Sequence, residues 1–177
     1  MRYAIDCYLH CPQRNARFAL GMRGTRILWA VGLNPSAADD RRPDPTLRKL
    51  MGFAERAGFD GFLMANLYPQ RTPYPAELHL KADPQLCADN LAALRHALAT
   101  HPPAAAFAAW GAHIGLRPWL LPQLRALLAL PGLAALPWLQ TGLPTLGGHP
   151  RHPGRAPYAA GLVSFDPHLY LERIFPS

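Results

Sequence analysis

The chain has 177 residues, a length that suits one domain with a core buried without disulfide staples. Half of it (50%) is hydrophobic, which argues against disorder, and 18 Lys plus Arg against 11 Asp plus Glu give a formal charge of +7, suited to phosphate-rich partners. Met1 to Gln13 mixes Arg2, Asp6 and His10 with two cysteines and has no apolar run of the secretory kind. The most apolar stretch, Leu120 to Leu139, is interrupted by Pro122, Arg125, Pro131 and Pro137, which a membrane span would leave poorly solvated. The expectation is a cytoplasmic, monomeric protein of one domain, residues 1–177, without contact to a membrane. The 3 cysteines are an odd number, which argues against a disulfide framework. Cys7, His10, Cys11 and Cys87 match no standard zinc spacing, so no metal or cofactor is expected.

In chain order, Arg17 to Met22 and Arg26 to Leu33 read as two strands, with Gly24 in the turn of a hairpin between them. Ile27 to Val31 is apolar throughout, as in a central strand covered on both faces. Gly32-Leu33-Asn34-Pro35-Ser36 stops that strand, and a polar loop, Ala37 to Pro45, follows. Thr46 is the expected N-cap of a helix from Leu47 to Ala57, closed by Gly58. Gly61 to Ala65 is the next strand and runs into Asn66-Leu67-Tyr68-Pro69-Gln70-Arg71-Thr72-Pro73. Asp83-Pro84 opens a helix to about Thr100, with Leu86, Leu91, Leu94 and Leu98 on one buried face. Ala104 to Ala109 is a small-residue strand ending at Trp110-Gly111. A Pro-interrupted helical region follows, then a strand from Ala134 to Leu139, a long loop from Gln140 to Pro157, and a helix from Pro167 to Ile174 capped by Asp166.

This alternation predicts an α/β fold with a central, mostly parallel sheet and helices on both faces, a three-layer αβα arrangement. Ligands of such folds bind outside the carboxyl ends of the strands. Asn34, held by Pro35, and Asn66 stand at two of those ends. Each amide either holds a water or reads a base edge, or it only closes its own turn. A third element, Gly147-Gly148-His149-Pro150-Arg151-His152-Pro153-Gly154-Arg155, packs two histidines and two arginines into one loop, a pattern suited to facing an anion.

Asn34 to Asp39 (N-P-S-A-A-D), Asp44 to Thr46 (D-P-T), Asn66-Leu67, Trp110-Gly111 and Arg151 to Pro153 (R-H-P) follow in order. This order resembles the bacterial family designated domain of unknown function 1643. From Arg26 to Tyr158 the chain is also similar to the uracil-DNA glycosylase superfamily, in its mismatch-specific, thymine-DNA glycosylase branch. There Gly32-Leu33-Asn34-Pro35 matches G-x-N-P, Arg71-Thr72-Pro73 the basic turn, and His152-Pro153 the last loop. The resemblance implies a uracil-DNA-glycosylase-like fold and hydrolysis of the N-glycosidic bond of a uracil-like, mismatched or modified base, with nucleic acid or a nucleotide as partner. Asn34 would place the water, with Asp39 or Asp44 orienting it, and His152 would donate to the departing base. Asn66 would read the base, with Tyr68 and Pro35 beside it. Ser36, Arg71, Gly148, His149, Arg151 and Arg155 would hold phosphates or DNA. Three departures mark this chain. The loop Ala37 to Pro45 has no aromatic ring to stack on a base, a place that Tyr68 would take; Gly154-Arg155 stands where an apolar wedge would be; and 3 cysteines stand against the four of the superfamily's iron–sulfur members. An enzyme of free nucleotides and a non-catalytic nucleic-acid-binding module are the alternatives.

Overall fold

The computed structural model describes residues 1–175. It is an α/β fold built on one seven-stranded sheet in the order β1-β2-β4-β3-β5-β6-β7. The strands are β1 (Cys7–Cys11), β2 (Ala16–Met22), β3 (Ile27–Gly32), β4 (Gly61–Asn66), β5 (Pro103–Ala108), β6 (Trp138–Thr141) and β7 (Leu162–Phe165). The helices are α1 (Pro45–Arg56), α2 (Pro84–Thr100), α3 (Leu120–Leu128), α4 (Pro131–Ala134) and α5 (Pro167–Ile174).

The four middle strands, β4, β3, β5 and β6, run parallel, and β2 and β7 add antiparallel at the two sides. Three of the six pairings are thus antiparallel, counting β1 with β2, so the sheet is evenly mixed where a mostly parallel one is expected. β3 sits in the centre because both its faces are apolar, and all its residues are buried. One face packs Trp29, Val31, Leu63 and Ala106 under Leu94 of α2 and Leu124 of α3. The other packs Leu28, Ala30, Phe62 and Phe107 under Leu47, Leu50 and Ala54 of α1. None of the described helices is long and apolar enough to cross a membrane.

The expected hairpin between the first two predicted strands does not form. β4 lies between β2 and β3, and β2 pairs antiparallel with β1 and β4. The connection from β2 to β3 instead passes tightly over the start of β4. A Cβ on Gly24 would collide with Asp60 Oδ1 and the Gly61 backbone N, so this glycine serves a close crossing. The Asp60 carboxylate fastens the crossing by accepting from the Arg26 and Thr25 N–H groups at 2.7 and 3.0 Å.

Two other boundaries move. The N-cap of α1 is Asp44, not Thr46, with Asp44 Oδ1 accepting from Leu47 N at 2.8 Å and Pro45 in the first helical turn. Proline's fixed φ favours that first turn, which shifts the start of the helix two residues upstream. The strand expected from Ala134 becomes β6, Trp138–Thr141, because Pro131 opens α4 over its first residue. β1 and β7 are edge strands with half-exposed residues; they carry too little hydrophobic alternation to stand out in the sequence. Cys7 is buried, and burial pushes its thiol up to about 11. Among the described residues no three His, Cys, Asp or Glu side chains gather to hold a metal ion.

Candidate functional site

A pocket of ≈ 160 Å³ opens at the carboxyl ends of β3 and β5, over the start of α1. Asn34, Ser36, Asp44 and His152 line it together with Arg17. The amide of Asn34 is partly structural. Its Nδ2 donates to the carbonyls of Thr72 (2.8 Å), Pro35 (3.1 Å) and Gln70 (3.4 Å). This joins the end of β3 to the segment after β4. Its Oδ1 accepts no hydrogen bond from the described residues. Asp44 uses Oδ1 to cap α1, which leaves the second carboxylate oxygen for the pocket.

His152 is carried across the pocket by the loop after β6. Its backbone packs on Gly111, where a Cβ would meet His152 Cβ at 3.3 Å. Gly111 has φ +69, a left-handed conformation that favours glycine. The N–H of Gly154 donates to His152 Nδ1 at 3.2 Å. The lone pair therefore sits on Nδ1 and the proton of the neutral ring on Nε2. His152 keeps an exposed edge, but the packing around the rest of its ring disfavours the charged form and lowers its pKa; the Asp44 charge raises it in part, and His113 and Arg155 lower it again. His152 is thus a neutral donor at pH 7.

Arg17 is the residue that sequence reading passes over. A bulge places it: Leu9 pairs with Ala19 but His10 with Arg17, so Phe18 is the extra residue. Bulges re-aim side chains, and this one turns Arg17 to the pocket while Ala16, Phe18 and Ala19 face the opposite core. Arg17 is only 2% exposed. One NH group donates to Ala38 O at 2.7 Å, while Nε has no partner, and no carboxylate among the described residues forms an ion pair with it. Burial lowers its pKa to about 10, against the Asp44 charge, and Arg71 lowers it further; it stays cationic at neutral pH. The sequence signal was one charge in the otherwise apolar run Ala16 to Met22.

Other candidates stand apart from the pocket lining. Asn66 is fully buried, and neither Nδ2 nor Oδ1 has a partner. Its Oδ1 would lie 2.9 Å from a Cβ on Gly32, a lining residue, so it sits just beneath the pocket wall. Pro35 is buried, and its carbonyl accepts from Thr72 N at 3.0 Å. Tyr68 is in the core, with its hydroxyl 2.7 Å from His79 Nδ1 and accepting from Asp83 N at 3.0 Å. Asp39 folds back to accept from Arg41 N and Arg42 N at 2.9 and 2.7 Å. Arg71 lines a neighbouring hollow with Tyr8 and His10, and donates to Tyr8 Oη at 2.9 Å. His149 Nδ1 is 2.9 Å from Tyr170 Oη. Gly148, at φ +77, makes the turn before it. Arg151 donates to Leu143 O at 2.8 Å within its own loop, and Arg155, three residues after His152, is exposed.

Comparison with curated proteins returned no match, and comparison with solved structures returned none. A family model, described as "Protein of unknown function (DUF1643)", matches residues 17–154, from Arg17 through the His152 loop. The chain belongs to this family.

Proposed function

We propose that the chain hydrolyses an N-glycosidic bond, in a three-layer, uracil-DNA-glycosylase-like arrangement, and that its substrate carries a uracil-like, mismatched or modified base. One observation carries this reading: Asn34, Asp44 and neutral His152 line the same pocket at the carboxyl ends of parallel strands. In the reaction, water adds to the anomeric carbon while the carbon–nitrogen bond breaks and its electron pair leaves with the base. Asn34 Oδ1 accepts a hydrogen bond from the water, and the uncapped oxygen of Asp44 takes its proton. His152 Nε2–H donates to the oxygen of the base as negative charge develops there. Asn66 supports the wall next to the base.

The test is incubation with oligonucleotides carrying varied bases and with the matching mononucleotides. Free base is read by chromatography, and abasic sites by alkali lability. Base release that disappears in Asp44→Asn supports the reading; no release from any substrate overturns it. A second reading, hydrolysis of free nucleotides, is favoured by Gly154 and Arg155, which follow His152-Pro153 and offer no apolar wedge to part a base stack.

A further inference from the structure

The geometry points to Arg17 as the seat of a terminal phosphate, so that the pocket takes a free nucleoside 5′-monophosphate and not a base flipped from a nucleic-acid strand. The inference rests on the reading of the pocket as a nucleotide site. Arg17 combines three observations. It lines the pocket. It is 2% exposed. Its Nε is without a partner, and no carboxylate among the described residues pairs with the guanidinium. A buried cation that makes no ion-pair contact, with the charge of Asp44 acting on it only across the pocket, is costly. A bound anion is the group that offsets that cost, and the planar guanidinium fork suits two phosphate oxygens.

The burial of Arg17 selects the kind of phosphate. A phosphodiester inside a strand continues on both sides and needs an open groove. A guanidinium on the inner wall of a ≈ 160 Å³ pocket is reached by a group attached at one end only. Strand order gives the pose. Across the sheet run β2, β4, β3 and β5, so Arg17 on β2 and His152 against Gly111 after β5 flank Asn34 after β3. In a 5′-nucleotide the anomeric carbon likewise lies between the phosphate and the base. With the phosphate on Arg17, that carbon falls to Asn34 and Asp44 and the base to His152. The strands are spaced about 4.8 Å apart, which gives a span of nucleotide size once the arginine side chain reaches inward.

The experiment compares deoxyuridine, deoxyuridine 5′-monophosphate, a uracil-containing single-stranded oligonucleotide and inorganic phosphate as ligands, by calorimetry and thermal shift. It uses the wild-type chain, Arg17→Lys and Arg17→Met. The monophosphate is expected to bind wild type on the order of tenfold or more tightly than the nucleoside. Inorganic phosphate should raise the wild-type Tm beyond chloride at equal ionic strength. Both effects should vanish in Arg17→Met and survive in part in Arg17→Lys. Arg17→Met should also melt no lower than wild type in the absence of ligand, because an unpaired buried charge has been removed. Should Arg17→Met fail to fold, the wild-type Arg17 Nε–H resonance gives the answer: it moves on adding phosphate, but not on adding chloride, if the assignment is correct. Equal affinity for nucleoside and nucleotide overturns the proposal and leaves the hydrolase reading standing. So does a phosphate preference that persists in Arg17→Met. Tighter binding of the oligonucleotide than of the monophosphate overturns it in favour of a strand substrate. A nucleotide preference that depends on Arg17, without base release from any ligand, supports the phosphate seat and removes the hydrolase reading instead.

Discussion

The two ends of the parallel strands differ in how they treat polar groups. At the amino ends the buried and bridging side-chain groups among the described residues have partners. Trp29 Nε1 donates to His101 O at 2.8 Å, and His101 Nε2 lies 3.0 Å from Asp6 Oδ1. Asp60 accepts from Arg26 N, Thr25 N and Thr25 Oγ1. At the carboxyl ends stand the buried side-chain atoms that lack a partner among the described residues: Arg17 Nε, both polar atoms of Asn66, Asn90 Oδ1, Gln140 Oε1 and Thr141 Oγ1. Buried polar groups are nearly always hydrogen-bonded. Their concentration at one end is therefore a sign of an end organised around something other than its own stability. The amino ends close the fold; the carboxyl ends hold a cation, an acid and a neutral imidazole at one pocket.

The largest effect separating the two ends is expected from Asp44→Asn. Asparagine caps helices about as well as aspartate, so α1 should keep its start and the Tm should change little. The carboxylate proposed to take the proton from water is gone, and on that reading turnover should fall on the order of a hundredfold to ten-thousandfold. Single-turnover base release beside a melting curve measures both. Full activity in Asp44→Asn would remove the residue from the chemistry. His152→Ala should cost on the order of a hundredfold in kcat with the fold intact.

Next come changes in the pocket wall. Gly32→Ala would bring a Cβ within 2.5 Å of Met64 Cε and 2.9 Å of Asn66 Oδ1. Such overpacking should lower stability by about 1–3 kcal/mol, read from the urea midpoint. A smaller effect is expected from Asn66→Ala. Asn90 Nδ2 donates to Asn66 O at 3.0 Å, so Asn90→Ala removes a partner and should cost about 1–3 kcal/mol. The Asn66 amide has no partner to lose, and its removal should cost less than that of Asn90. The reverse order would mean that Asn66 is part of the closed framework and not of the open end.

How far this contrast can be read from the sequence depends on which interactions are local. Ile27 to Val31 announces the central strand because its burial on both faces is written in consecutive residues. Asp83-Pro84 and Asp166-Pro167 announce two helices because cap and first turn are neighbours in the chain. Asn34 and His152 were legible as strand-end and loop residues, and both reach the pocket. The place of β2 was not legible, since its partner β4 lies about forty residues further on and the apparent Gly24 turn is a crossing. Arg17 was hidden for the same reason, because a bulge at Phe18 set by pairing with β1 decides which way it points. Tyr68 looked free to stack on a base. Its hydroxyl is instead engaged by Asp83 N and His79, contacts that exist only once α2 has docked.

The smallest effect expected is a titration that sets the two ends apart by pH. His152 is pulled below its ordinary value of 6.5 by the packing around its ring, with Asp44 acting the other way and His113 and Arg155 adding to the drop. A histidine whose folded pKa is depressed favours the folded state in its neutral form. Its contribution is present above pH 6.5 and is lost as the pH falls toward the folded pKa. Protonation places a hydrogen on Nδ1, where the Gly154 N–H now donates, so the loop at 152–155 should loosen first. Asp60 behaves differently. Hydrogen bonds from Arg26 N, Thr25 N and the Thr25 hydroxyl hold its carboxyl down at about 2. What it contributes is complete above 3.8 and is lost only as the pH falls toward 2. As the pH falls from 6.5 toward 3.8 the carboxyl ends should change while the Asp60 crossing at the amino ends holds. Imidazole resonances followed by NMR against pH are the measure. His152 should titrate below 6.5, lower still in Asp44→Asn and higher in Arg155→Gln, because each substitution removes one of the charges acting on the ring. A His152 that titrates at or above 6.5, or one indifferent to both substitutions, would place the ring in open solvent and take from it the role of neutral donor.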